Sequence, residues 1–295
     1  MLTRKRISVS YFVNLIKWDV VAIVIYAALV GTLDHFSFFR AVQVPLALST
    51  LLGTLVSLLL AFRTAQSYER WWEARIVWGA IVNDSRTLIR QLKQFIPASQ
   101  EKDVQVQAFA VRQSMWCFAL ADTLRRVDLS AHVAEYITRQ KIKENHLTNA
   151  LLTRHAEQIS ELSERYGIDP NKQVQLDATL ARLTDSMGKC ERIKNTIFPR
   201  SYSMLIHFLI YVLMTILPFG LDDQFAIVEI FLVILVPVLL IAIEQTAIIM
   251  QDPFENRPTD TPMTSLSATI EKNLMEMTGL PAPDRHIDMD NYFVM

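Results

Sequence analysis

Two rows of side chains, each spaced four residues apart, lie on the stretch from Leu48 to Ile76, and their chemistry is that of surfaces rather than of catalysis. Ser49, Gly53, Ser57, Ala61 and Ala65 form an unbroken row of small residues, the pattern that lets helix backbones approach closely inside a membrane. Thr50, Thr54, Leu58 and Phe62 form the adjacent row on the same helix. Two arrangements fit this spacing. Both rows are buried in a tightly packed bundle, or identical helices surround an axis and the second row lines a narrow apolar throat.

Residues suited to bond-making chemistry are present but not assembled. The histidines (His35, His132, His146, His155, His207, His286) are scattered, and neither HExxH nor GxSxG occurs. Seven glycines supply no GxGxxG and no GxxxxGK, so no nucleotide-phosphate cradle is expected. Cys117 and Cys190 lie far apart without CxxC spacing, which suits a reduced, cytosol-facing location and indicates neither disulfide nor zinc. Asp288-Met289-Asp290-Asn291 resembles the start of a calcium loop but lacks its Gly and closing Glu. A formal net charge of -1 with no basic tract excludes the electrostatic footprint of a nucleic-acid binder. No enzyme, cofactor or metal site is expected. His207, inside an apolar run, is either a functional polar group or a hydrogen-bond partner of a neighbouring helix.

The elements that must carry the two rows follow from hydropathy. The chain is 51% hydrophobic, and its apolar residues gather into four runs of nearly the length a membrane span needs: about 20–39, 42–62, 203–221 and 226–243. Pro45, His207, Glu229 and Pro237 interrupt them, as positions facing a bundle tolerate. Arg4, Lys5, Arg6 and Lys17 precede the first run and Arg63, Arg70 and Arg75 follow the second, whereas Gly220-Leu221-Asp222-Asp223 has no basic residue. Both termini and the long middle segment are therefore expected on the cytosolic side of the cell inner membrane. No removable signal peptide is read at the N-terminus. Trp18, Trp71, Trp72 and Trp78 fall near the predicted boundaries, as interfacial anchors or as packed side chains. The spacing predicts helix almost throughout 63–200, with breaks at Pro97-Ala98-Ser99 and Gly167-Ile168-Asp169-Pro170, an amphipathic stretch over 171–198, and a last helix over 266–277 ending at Gly279. The expected division is 1–63 with two spans, 64–200 cytosolic and helical, 201–250 with two spans, and 251–295 as an extended segment plus a short helix. Glu69, Arg70, Glu73 and Arg75 are placed to pair along or between helices just after the second run.

FRTAQSYERWWEARIVWG (62–79) resembles the signature of bestrophin family ion channels in their bacterial branch, together with CERI (190–193), PRSYS (199–203), DPF (252–254) and TIEKNLMEMTG (269–279). These motifs span most of the chain in order. The resemblance implies an all-α membrane protein with about four transmembrane helices per subunit and a helical cytosolic region, assembled as a homopentamer around one central pore. It implies a neck of three apolar rings on the second span. Positioned from Arg70-Trp71-Trp72, these fall on Thr54, Leu58 and Phe62, with Thr54 departing from the usual bulky apolar residue. A second, cytosolic aperture falls at about Asn171, counted back from Cys190. Animal members hold calcium just after the DPF-like turn. Here Arg257 and Pro258 interrupt the acidic cluster and leave Glu255 and Asp260, so no calcium activation is expected.

The function implied is passive conduction of monovalent inorganic ions, with membrane lipid and the chain's own copies as its partners. Leu58 supplies no aromatic edge, so the reading leans toward cations and keeps chloride open. The rivals are a membrane-anchored helical scaffold or signalling protein, and a secondary transporter, which would show inverted repeats that this chain lacks.

Overall fold

The computed structural model describes residues 9–35, 44–99, 101–196, 198–221 and 226–283, and among them every regular element is helical. In chain order these are α1 (Val9–His35), α2 (Leu46–Phe95), α3 (Lys102–Arg125), α4 (Ala131–Arg139), α5 (Leu147–Tyr166), α6 (Pro170–Asn195), α7 (Arg200–Ile216), α8 (Ala226–Gln251) and α9 (Met263–Thr278), with a single 3-10 turn at Pro218–Gly220. The chain divides into two compact units. One gathers the segment through Arg70 and Ile197–Gln251, the other Trp71–Thr196 and the segment from Asp252.

The first unit holds the apolar helices. α1, α2 and α8 are long and apolar enough to cross a membrane, and α7 is a shorter apolar helix. The expected boundaries shift for identifiable reasons. α1 begins at Val9 rather than near residue 20, because Lys17 and Asp19 are compatible with helix and neither Pro nor Gly interrupts the approach. α7 stops at Ile216 rather than continuing to residue 221: Leu217 is still helical, its N–H bonding Leu213 O, but Pro218 has no N–H to continue the ladder and the chain tightens into the 3-10 turn. Its 17 residues give roughly 25 Å, short of a typical hydrocarbon core. α8 runs on past 243 to Gln251, two residues before Pro253, and absorbs Pro237 within its length. Val56 and Leu60 of α2 pack with Ile206, Ile210, Leu213 and Met214 of α7, with Leu240 and Ile241 of α8 and with Ile23 of α1. The expected end of the first run beyond residue 35 and the Asp222-Asp223 connection lie outside the described residues.

The second unit is a helical bundle built around α3, which is buried at every residue from Gln113 to Leu120. A helix covered on all sides must be central. α4, α5, α6 and α9 surround it, and Ile81, Leu88, Ile89 and Leu92 of α2 belong to the same core. Trp116 carries its one polar atom inward without penalty, because Nε1 donates to Thr148 O at 3.0 Å. Trp78 is fully buried in this core, so it packs against neighbouring helices and is no interfacial anchor. Arg86 of α2 donates from Nε and Nη2 to Asn273 Oδ1 of α9 at 3.0 and 2.5 Å.

The expected breaks at 97–99 and 167–170 are present, and two more occur that no glycine or proline marks. Arg126 ends α3 with φ 58°, its N–H bonding Asp122 O and Thr123 O, and Lys141 follows α4 with φ 53°. Asp122 fixes the first of these turns by accepting from Ser130 N at 2.9 Å. At the last helix Gly279 adopts φ 71° and its N–H caps Glu276 O and Met275 O. No atom lies within 4 Å of a Cβ built there, so the cost of a side chain is purely conformational. Gly279→Ala is expected to destabilise the protein by about 1 kcal/mol, the cost of a left-handed L-residue, read as a lowered melting temperature of detergent-purified protein.

Candidate functional site

The candidate site is the apolar half of α2, a helix of 50 residues whose only glycines are Gly53 and Gly79 and which contains no proline. Successive residues turn by about 100°, so the helix has one face for its own chain and another that its chain leaves open. Val56, Leu60, Arg63 and Ser67 are all at most 1% exposed and mark the inner face. On the opposite side Leu58 is 68% exposed and Phe62 61%. Thr54 shares that side and is exposed. Its hydroxyl donates to Thr50 O at 2.8 Å, which turns the polar group onto the helix backbone and leaves the methyl group to the surroundings. Leu51 and Leu55 are exposed as well, so the open apolar face is broader than the three positions expected.

The small-residue row does not pack as one seam within the chain. Four residues turn the helix by 400°, so each step of the row drifts about 40° around it. Ser49 is buried, and a Cβ on Gly53 would meet Leu213 Cδ2 of α7 at 3.9 Å. Ser57 and Ala61, and Ala65 beyond them, are exposed. They border an apolar groove of about 490 Å³ whose other wall is Leu240, Ile243 and Met250 of α8.

Behind the open face lies a charged cluster that hydropathy alone did not reveal. Arg63 Nη1 donates to Glu244 Oε1 of α8. The second carboxylate oxygen, Oε2, is 2.7 Å from His207 Nε2 of α7. Glu244 is 0% exposed and the guanidinium carbon of Arg63 lies 5.3 Å from the ring centre of Phe198. His207 therefore meets a neighbouring helix. Gln245 Nε2 is 3.2 Å from Asp19 Oδ2, giving α1 a polar tie to α8. Arg70 Nε donates to Gln251 O at 2.7 Å, and Glu73 takes Arg192 of α6 at 2.6 Å, so these two of the four charges after the apolar run bond between helices.

In the second unit Asn171 occupies the first turn of α6, exposed, its N–H donating to the capping Asp169 Oδ1 at 2.9 Å. Val174, three residues on, is 65% exposed and was not singled out by motif counting. An exposed valine on an otherwise polar turn is the signal that marks it. The acidic residues after α8 are already engaged. Asp252 Oδ2 takes Lys194 Nζ at 2.5 Å, Glu255 Oε2 takes Arg257 Nη2 at 2.5 Å, and Asp260 Oδ2 accepts the N–H groups of Glu255 and Arg257 at 2.9 and 3.0 Å. Among the described residues no three His, Cys, Asp or Glu side chains cluster as a metal site, and Asp288-Met289-Asp290-Asn291 lies outside them.

Burial pushes Asp260 up from 3.8 to about 6, against the opposing pull of its two backbone donors. The folded chain thus binds this proton more tightly than the unfolded chain does. The stabilisation is fully present below pH 3.8 and is lost as pH rises through about 6. Asp260→Asn is expected to remove that part of the pH dependence, seen as a flatter profile of melting temperature between pH 4 and pH 7.

The sequence and the fold both have known counterparts. A family model described as Bacterial/Fungal Bestrophin protein matches residues 5–276. A voltage-dependent anion channel-forming protein of Ralstonia nicotianae is 29% identical over 237 residues, covering 79% of this chain and 77% of the relative. One from a Nostoc species is 29% identical over 274 residues, covering 90% and 89%. The crystal structure of a bacterial bestrophin homolog from Klebsiella pneumoniae matches with a TM-score of 0.80 at 25% identity, covering 90% of this chain and 99% of that one. With its helices, its apolar α2 and a family match that runs through nearly its whole length, the chain belongs to the bacterial and fungal bestrophin family and is a membrane ion channel, not an enzyme.

Proposed function

We propose that this chain forms a homopentamer around one central conduit and passes monovalent ions passively through a hydrophobic neck made by Thr54, Leu58 and Phe62. The observation that carries the reading is the division of α2 into a buried face and an open one, with Leu58 and Phe62 among its most exposed apolar side chains. An inner face at most 1% exposed attaches the helix to its own subunit, which leaves the other face for a neighbouring copy, the axis or lipid. Ser57, Ala61 and Ala65 supply the small side chains that let two copies come close. A ring of heterologous contacts closes such an assembly. Apolar rings hold no ion, so Leu58 and Phe62 govern opening by wetting and drying rather than by coordination.

Asn171, with Val174 one turn on, is proposed as the cytosolic aperture, where the asparagine amide makes the constriction wetter than an aliphatic ring. Both termini and the segment 64–200 are placed on the cytosolic side of the inner membrane, which the basic residues around the first two runs support. Conduction is proposed to be independent of calcium, because Asp252, Glu255 and Asp260 already hold cations or backbone donors and Arg257 stands among them. The lean toward cations rests on Leu58 having no aromatic edge. A second reading, anion passage, is favoured by the relatives named anion channel-forming proteins and by the ring edge that Phe62 offers.

Mass measurement in detergent should return five chains per particle; one or two would favour a scaffold. In liposomes Leu58→Ala should raise flux, and a barrier lowered by about 1.4 kcal/mol carries about tenfold more. An unchanged current would remove Leu58 from the neck. Under a tenfold sodium chloride gradient, perfect selectivity moves the reversal potential to about 59 mV, and its sign separates cation from anion passage.

A further inference from the structure

Phe62 and Arg63 are neighbours in sequence and opposites in exposure, 61% against 1%. They diverge by about 100° on the helix, so holding Arg63 inward sets the direction in which Phe62 points. Two contacts hold it, and a third fixes its carboxylate partner. Arg63 Nη1 donates to Glu244 Oε1, Glu244 Oε2 meets His207 Nε2 at 2.7 Å, and the Phe198 ring lies 5.3 Å from the guanidinium. One turn earlier Tyr202 Oη donates to Leu59 O at 3.1 Å, the carbonyl four residues before Arg63. Two turns later Arg70 Nε donates to Gln251 O at 2.7 Å. From 63 to 70 and from 244 to 251 both helices advance seven residues, so two arginines hold α2 and α8 in one register.

A buried ion pair is an expensive way to hold two helices together, and apolar residues of similar volume do it as well or better. What the pair adds is a fixed geometry. Between Thr54 and Ile76 the helix has no Gly or Pro at which to hinge, and a rotation imposed at Arg63 carries to Phe62 and, one turn on, to Leu58.

We propose that Arg63, braced by Glu244 and His207, is a positioning residue that sets the angle of Phe62 about the α2 axis and through it the opening of the neck. The proposal rests on the neck reading above. The test uses the full chain in liposomes. Arg63→Met alone strands a buried carboxylate, so the pair Arg63→Met/Glu244→Leu is made, with assembly checked by size-exclusion chromatography. The readouts are open probability and, in a Phe62→Cys background, the rate of modification by a small thiol reagent. Cys117 and Cys190 are buried, and Cys117 is pushed up to about 12, so they react little. A loss of rigid placement is expected to change both readouts by about fivefold or more. Glu244→Asp keeps both charges but shortens the brace by one methylene, and should change the modification rate in the same direction. Rates and open probability within about twofold of the parent in both variants, or in Glu244→Asp where the pair fails to assemble, overturn the proposal. Phe62→Ala separates the two ideas. Altered flux there with silent brace variants removes the positioning role alone, while unaltered flux removes the neck and the brace together.

Discussion

The backbone of α2 has to satisfy its own hydrogen bonds through the apolar stretch, because lipid offers neither donors nor acceptors. That constraint explains the composition of the segment. Between Thr54 and Ile76 there is no Gly or Pro, and the threonines of this half of the helix turn their hydroxyls onto carbonyls four residues back, as Thr50, Thr54 and Thr64 all do. A helix built this way cannot adjust locally. Its faces are fixed relative to one another, and each side chain is inward or outward according to its place in the turn.

The same logic sorts the titratable groups. Among the described residues of the apolar unit, the buried charges Arg63 and Glu244 are paired with each other, with His207 beside them, and Asp19 is tied to Gln245. In the helical bundle around α3, burial suppresses reactivity instead. The Cys117 and Cys190 thiols are pushed up by loss of solvent, and His155, stacked on Phe109 at 5.0 Å, is held well below its ordinary range by burial and by Arg112. These three groups, which could suggest catalysis in a sequence, are kept uncharged and out of solvent where the fold has put them.

Periodicity and end signals made much of this legible. The Gly167-to-Pro170 break, α6 and the Gly279 stop follow from helical spacing, a capping aspartate and left-handed glycines, all of which are local. The turns at Arg126 and Lys141 were not legible, because each places an ordinary residue at positive φ, and what holds it there is a contact such as Asp122 with Ser130. Glu244 was missed for a different reason. It follows Ile243, where the apolar run was expected to end, and its partner Arg63 is 181 residues away, beyond the reach of any local pattern. The row Thr54, Leu58, Phe62 could be read from spacing, but the breadth of the open face, with Leu51 and Leu55, could not.

The two rows on α2 are best understood together. Inside a bilayer apolar side chains gain nothing from leaving water, so copies of α2 associate only where close packing and dispersion reward it. The drift of the small row supplies that contact in stages, Ser49 and Gly53 against the chain's own residues and Ser57, Ala61 and Ala65 left free for another surface. Leu58 and Phe62 are too large for a close seam and lie beside it. In the proposed ring, small residues at the seam bring the helices near one another, and the large residues are thereby turned toward the axis, where the neck needs them. The fit of each helix in that ring depends on its azimuth, and the buried arginine behind Phe62 is the polar contact best placed to set it.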